Sequence, residues 1–236
     1  NLMAAEFYLG GTDWPHNNVK GFRDVNNGKF RFVLFDLDFA GQTTTPIQDF
    51  FNKENFQSEH ELMGYDYSQS KSLNGTKRSS QNTFVTLFKN LLKNSQFRKQ
   101  FIDTYCIIGG SVMQPKYVKE IANEMKNYIQ KGIYSEDQFD PSLSSNYVIK
   151  TFTTSWNSNM IDHMRKRSEM GISTVEKQSV SLSANAPGAK LSLNGLNLPY
   201  AEFNGYLFAP IRLKATAPAG YRFAGWKDAT KTGSEY

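Results

Sequence analysis

The stretch NLMAAEFYLGGTDWPHNNVKGFRDVNNGKFRFVLFDLDFA, residues 1–40, governs how the remainder of the chain is read. Leu2, Met3, Phe7 and Leu9 recur at helical spacing, and Gly10-Gly11 is a stop signal. A polar loop from Thr12 to Asn18 contains Pro15. Residues 19–24 and 29–35 then alternate or run apolar on either side of Asn26-Asn27-Gly28, which predicts a β-hairpin with matching turn chemistry. Its second strand is expected to run straight into Asp36-Leu37-Asp38-Phe39.

Moving outward, residues 58–82 are rich in Ser, Asn, Gln and Lys without periodicity, and read as a long surface loop. Helices are predicted next. Phe84, Leu87, Phe88, Leu91 and Leu92 share one face. Ser95 offers an N-cap for a second helix with Phe97, Phe101, Ile102 and Tyr105 inward, stopped by Gly109-Gly110. Pro115 suits a first turn, and Val118, Ile121, Ala122, Met125 and Ile129 form a stripe ending at Gly132. One further helix is expected over 144–170, with Phe152, Trp156, Met160, His163 and Met164 inward. Near Glu176 the period changes to two: Val180, Leu182 and Ala184 alternate, then Leu191 and Leu193, then Ile211, Leu213 and Ala215. Pro187-Gly188, Asn194-Gly195 and Pro218-Ala219-Gly220 punctuate these runs, so residues 176–236 read as a small β-rich module after a helical part at 1–175.

Composition narrows the class. Hydrophobic residues make up 39% of the 236, aromatics 14%, enough apolar surface for a core and too much for wholesale disorder. The net charge of +5 is dispersed, and its densest cluster, Arg165-Lys166-Arg167, reads as a solvated helix face rather than a nucleic-acid patch. No run approaches the roughly 18 apolar residues of a membrane span. The single cysteine, Cys106, lies in an apolar stretch and is expected to be a buried, inert thiol. Both ends break off inside patterned sequence, so the chain is expected to be a piece of a longer protein.

The chemistry concentrates in Asp13-Trp14-Pro15-His16-Asn17-Asn18 and Asp36-Leu37-Asp38. In an extended strand Asp36 and Asp38 would project to the same face, and two adjacent carboxylates repel unless a cation or a proton separates them. A divalent ion with oxygen ligands fits, and Mg²⁺ suits a site of few carboxylates completed by phosphate oxygens. Asp13 precedes Asn18 by the interval that separates Asp and Asn in a protein-kinase catalytic loop, and a hairpin then leads to an Asp where kinases place a metal ligand. On that reading Asp13 is the base or orienter of the incoming hydroxyl, while Asn18, Asp36 and Asp38 hold metal. By spacing alone, a plain turn and an ordinary strand end remain open beside the catalytic reading.

The same residues resemble the C-terminal half of the CotH kinase family signature: Asn1-Leu2 in a helix, Asp13-Trp14-Pro15 and Asn17-Asn18 in a loop, Arg23 in a strand, and Asp36-Leu37-Asp38. The helical stretch to about residue 170, including LFKNLLKNSQFRKQF, is similar to the family's helical tail, though less diagnostic. The resemblance implies an atypical kinase fold that uses ATP with Mg²⁺ or Mn²⁺ and phosphorylates proteins, in a secreted or surface-attached setting that includes spore-coat proteins. It implies Asp13 as the catalytic residue, His16, Asn17 and Asn18 near the nucleotide, and Asn18, Asp36 and Asp38 at the metal. The nucleotide-binding lobe with its phosphate-contacting lysine is expected upstream of Asn1, so this piece alone is expected not to turn over ATP.

Other candidates carry less. Asp36-x-Asp38-x-x-Gly41 opens like an EF-hand loop, but Ala40 and Ile47 stand where ligands are required. His16, His60 and His163 show no metal-ligand spacing; His16 suits a substrate contact or a loop-stabilising hydrogen bond equally, and His163 reads as a satisfied core residue. Gly220-Tyr221-Arg222-Phe223-Ala224-Gly225-Trp226 resembles the ending of small repeats in bacterial surface proteins, its aromatics serving as the core of a tiny sheet or as a glycan platform. The expected architecture is α+β: a mostly helical kinase-like C-terminal lobe with a short β-hairpin, then a small β-rich module. The rival function is a non-catalytic surface adhesion or carbohydrate-binding protein that keeps the fold as a scaffold. A protein substrate is the expected partner, with a surface glycan as the alternative and no nucleic acid.

Overall fold

The computed structural model describes residues 1–11, 14–15, 18–52, 83–132 and 140–227. The expected polar loop at 58–82 therefore lies outside the described residues. The chain is α+β: the described helices lie between Leu2 and Met170, with small antiparallel sheets beside them.

Helix α1 (Leu2–Leu9) ends at Gly10, whose φ of 66° is the left-handed cap expected from the sequence. Ala4, Phe7 and Tyr8 are buried, and Phe7 sits at the centre of an aromatic cluster. Its ring meets Phe50 at 4.9 Å, Phe88 at 5.2 Å and Trp14 at 5.8 Å, all edge-on as ring quadrupoles favour. Phe50 comes from α2 (Pro46–Asn52) and Phe88 from α3 (Thr83–Leu92). The predicted hairpin forms between α1 and α2, as β1 (Lys20–Phe22) paired antiparallel with β2 (Arg31–Val33).

Helix α4 (Ser95–Ile107) is capped one residue earlier than expected: Asn94 Oδ1 accepts from Phe97 N at 2.9 Å, and Ser95 is already helical. Gly109-Gly110 does not stop it. The chain continues as a π-turn over Ile108–Val112. The glycines are there for close approach instead. A Cβ on Gly110 would lie 2.8 Å from Cδ2 of the Phe203 ring and nearer still to Cε2 and Cζ, and one on Gly109 would lie 2.9 Å from Tyr8 Cε2.

Helix α5 (Pro115–Gln130) starts on Pro115 as predicted. Only Val118 and Ala122 of its expected inward stripe are buried; Ile121 and Met125 are 49% and 58% exposed. The single helix expected over 144–170 is two, α6 (Pro141–Thr153) and α7 (Trp156–Lys166), followed by a 3₁₀ turn at Ser168–Met170. Thr153 and Thr154 hydroxyls bond back to the Ile149 and Lys150 carbonyls at 2.7 and 3.0 Å, the local competition that ends helices in Thr- and Ser-rich segments. The break aims Trp156 at α1, where its Nε1 donates to Tyr8 O at 2.8 Å.

Arg165 and Arg167 depart from the solvated face expected of them. Both are half-buried: Arg165 donates to Val175 O at 3.4 Å, and Arg167 donates to Gln48 Oε1 and pairs with Glu169 at 2.9 Å. His163 is half-buried too, with Nε2 in no hydrogen bond among the described residues, so it is not the satisfied core histidine foreseen.

The β-rich part begins with β3 (Lys177–Ser183), paired along its length with β6 (Glu202–Phe208). A second sheet has the order β5–β4–β7, from β4 (Lys190–Leu193), β5 (Leu196–Asn197) and β7 (Leu213–Thr216). Asn194 and Gly195 join β4 to β5 with φ of 50° and 84°, the double left-handed step of a type I′ turn. Strand β6 is absent from the sequence expectation because Asn204 and Gly205 interrupt its pattern. Gly205 serves packing: a Cβ there would lie 2.7 Å from Gly110 Cα. Leu191, Leu193, Phe203 and Leu207 thereby join the same buried cluster as Phe7, Tyr105 and Trp156. Residues 220–226 form no strand; Tyr221 is 61% exposed, while Trp226 is half-buried with an edge-on contact to Phe223 at 5.4 Å. The tiny sheet core expected of these aromatics is not formed.

Candidate functional site

The hairpin does most of the positioning. Pairing of Lys20 with Val33 and of Phe22 with Arg31 brings its two ends together, so Asn18 and Asp36 meet at its base. Asn18 Nδ2 makes a long hydrogen bond of 3.5 Å to the Asp36 carbonyl. Both residues hold left-handed backbones, with φ of 60° and 56°. Asn and Asp are the non-glycine residues that adopt this region most readily, so their identity suits the conformation.

That conformation corrects one expectation. Strand β2 ends at Val33, and Asp36 lies beyond it in a left-handed kink, with Asp38 in the turn that follows. The two carboxylates are not alternate positions on one strand face. The kink is anchored elsewhere: Ala40 N bonds to Leu37 O at 2.9 Å, Gly41 N to Leu9 O at 2.7 Å, and Thr43 N to Gly10 O at 3.1 Å. The acidic segment is thus tied to the end of α1. Lys20 stands over the Phe35 ring at 4.4 Å, which places one cation beside the base of the hairpin.

Asp13, His16 and Asn17 lie outside the described residues. Their neighbour Trp14 is firmly held: it is 4% exposed and stacks on Phe50 at 5.4 Å. Asn18 is half-buried, whereas Asp36 and Asp38 are exposed. Among the described residues neither of these carboxylates accepts a hydrogen bond or forms an ion pair, and no three His, Cys, Asp or Glu side chains cluster closely enough to hold a metal. The donor types still suit a hard cation, since Mg²⁺ commonly uses one or two carboxylates with phosphate and water oxygens.

Sequence reasoning passed over Glu6, a carboxylate inside the apolar run LMAAEFYL that is only 5% exposed. A lone charge on an apolar helix was the available signal. Cys106 is buried as expected, and burial, followed by nearby Asp103, pushes its thiol far up, which leaves it unreactive. No helix among the described residues is long and apolar enough to cross a membrane.

Residues 1–170 match the model of a family described as CotH kinase protein. No curated protein and no solved structure matches the chain.

Proposed function

The chain belongs to the CotH kinase protein family, and from that membership we propose that it carries the hydroxyl-orienting and metal-holding part of a protein phosphotransferase. The observation that most supports the reading is the meeting of Asn18 and Asp36 at the base of the hairpin, both in left-handed backbone. Backbone outliers of this kind recur where a fold must aim side chains at a ligand.

In this reading Asp13 accepts the proton of a substrate hydroxyl, or orients that hydroxyl for attack. Trp14, the residue that follows Asp13, is buried in the core. His16 and Asn17 are assigned to the nucleotide from the family resemblance. Asn18, Asp36 and Asp38 offer the oxygens that would hold Mg²⁺ or Mn²⁺. With ATP, the ion would supply the positive charge that offsets the charge on the phosphoryl group in transit. The protein's own contribution is positional: the α1 end and the paired hairpin hold the segment carrying Asn18, Asp36 and Asp38 on one frame.

A protein hydroxyl is the proposed acceptor, as the family description suggests. A secreted or surface location belongs to the same proposal and rests on the resemblance alone; cell fractionation tests it. The non-catalytic adhesion reading gains no support from the family match. The test is transfer of γ-labelled phosphate by the complete protein to itself or to co-purified protein. Transfer that needs Mg²⁺ or Mn²⁺ and stops on chelation supports the proposal. Absence of transfer under all metal conditions removes it.

A further inference from the structure

Between α5 and α6 lies a groove of about 300 Å³, lined in part by Ile121, Ala122, Met125 and Ile129 of α5, Val148 of α6, and Tyr200. The exposure of Ile121 and Met125, one helical turn from buried Val118 and Ala122, belongs to this groove. Its floor is closed by Ser145 Oγ, which donates to Ala122 O at 3.3 Å. That bond occupies the Ser145 hydroxyl, which leaves Ser144 as the other serine hydroxyl of an otherwise largely apolar lining. The Tyr200 wall is braced: its ring stacks on Tyr117 at 4.0 Å, and the Tyr117 hydroxyl donates to Glu202. The groove is preformed, as small-molecule sites usually are, and its volume lies at the lower end of their range.

Lys126 also lines the groove. It is half-buried, and among the described residues its ammonium has no hydrogen bond or ion pair. Lysine covers apolar surface with its stem while presenting its charge at the edge. An apolar trough lined by one cation that is unpaired among the described residues is complementary to a molecule that is apolar along its length and anionic at one end. At about 30 Å³ per methylene, close to the volume of a water, the trough holds roughly ten carbons. A stable protein partner would bury about 800 Å² on this side, far more than a trough of this size offers.

We propose that this groove binds a free single-chain carboxylate amphiphile of fatty-acid type, its tail between α5 and α6 and its carboxylate on Lys126. The site is separate from the hairpin and does not depend on the kinase reading.

Decanoate below its micellar concentration is titrated into protein carrying ¹³C-methyl methionine, with 1-decanol as the uncharged match. The Met113 and Met125 methyl signals, both at the groove, are expected to shift and to saturate at one equivalent. Lys126→Gln weakens decanoate about fivefold and leaves decanol unchanged. Met125→Glu, at an exposed position that the fold tolerates, weakens both at least tenfold. Circular dichroism melts of each variant confirm that it is folded. The proposal is overturned if neither methyl shifts, or if Lys126→Gln affects decanoate and decanol alike. It is also overturned if sedimentation shows a dimer that Met125→Glu dissociates, which would give the groove to a second copy of the chain.

Discussion

Replacing Gly110 with alanine tests how the helical and β-rich parts are held together. In an ordinary helix interior Gly→Ala stabilises by about 1 kcal/mol, because alanine loses less backbone entropy. Here the added methyl would meet Phe203, with Cδ2 at 2.8 Å and two ring atoms closer still. Phe203 is fully buried on a strand paired along its length with β3, so the ring has no open space to enter. Overpacking of a closed core costs about 1–3 kcal/mol, and a clash this direct belongs at the upper end. The net effect is a destabilisation of about 2 kcal/mol, or roughly 4–8 °C in melting temperature for a chain of this size. The sign alone decides between the two effects. Far-UV circular dichroism and tryptophan fluorescence would follow the melt. Phe203→Leu supplies the control: it shortens the side chain and is itself destabilising by about 1–2 kcal/mol, but Gly110→Ala added to it should cost less than about 1 kcal/mol. A Gly110→Ala protein that melts at or above the wild-type temperature would refute the close-approach reasoning, as would a cost that persists unchanged when the ring is replaced in the double variant.

Three further outcomes are expected. Trp156→Phe removes the 2.8 Å bond to Tyr8 O while keeping an aromatic ring, and should cost about 1–2 kcal/mol in urea unfolding. Asp103→Ala takes away the acceptor that Asn194 Nδ2 reaches at 2.8 Å, and amide exchange across 194–197 should quicken relative to the rest of β4. His163 is held below its ordinary pKa of 6.5 by burial first and then by Arg167. The unfolded chain therefore binds this proton at a pH where the folded chain still resists it. Stability should fall as pH drops through about 6.5 and level off below the lower folded value, and His163→Gln should remove that part of the slope in melts between about pH 7.5 and 5.

Much of the fold was legible where local periodicity and end signals agree: Gly10 ends α1, Pro115 opens α5, and Asn194-Gly195 turns β4 into β5. What escaped was set by tertiary contact. Gly109 and Gly110 read locally as a stop, yet they admit Tyr8 and Phe203, and only the folded chain reveals these neighbours. Strand β6 was hidden for the same reason, since Gly205 faces Gly110 across that contact. The break between α6 and α7 could have been seen in Thr153-Thr154-Ser155, had hydroxyl competition been weighed against the apolar stripe. Ile121 and Met125 fit that kind of stripe but line a groove rather than a core. At the candidate site, the motif order and the hairpin were readable, and their consequence is the approach of Asn18 to Asp36. The left-handed kink at Asp36 was not, because an apolar run entering Asp-Leu-Asp reads as continuous strand until the tether to Leu9 and Gly10 is known.

Asp36 is the residue on which the catalytic proposal leans most, and Asp36→Asn in the complete protein isolates its charge. Asn keeps the volume and tolerates a φ of 56° as well as Asp does, so the kink itself should survive. The most direct measurement pairs a melt with a turnover assay on this variant, each with and without Mg²⁺ and ATP. The account predicts a melting temperature equal to wild type in the absence of metal, loss of the stabilisation that Mg²⁺ with ATP confers on wild type, and phosphate transfer reduced by orders of magnitude. Wild-type transfer by Asp36→Asn, with its metal-dependent stabilisation intact, would contradict the assignment of Asp36 to the metal.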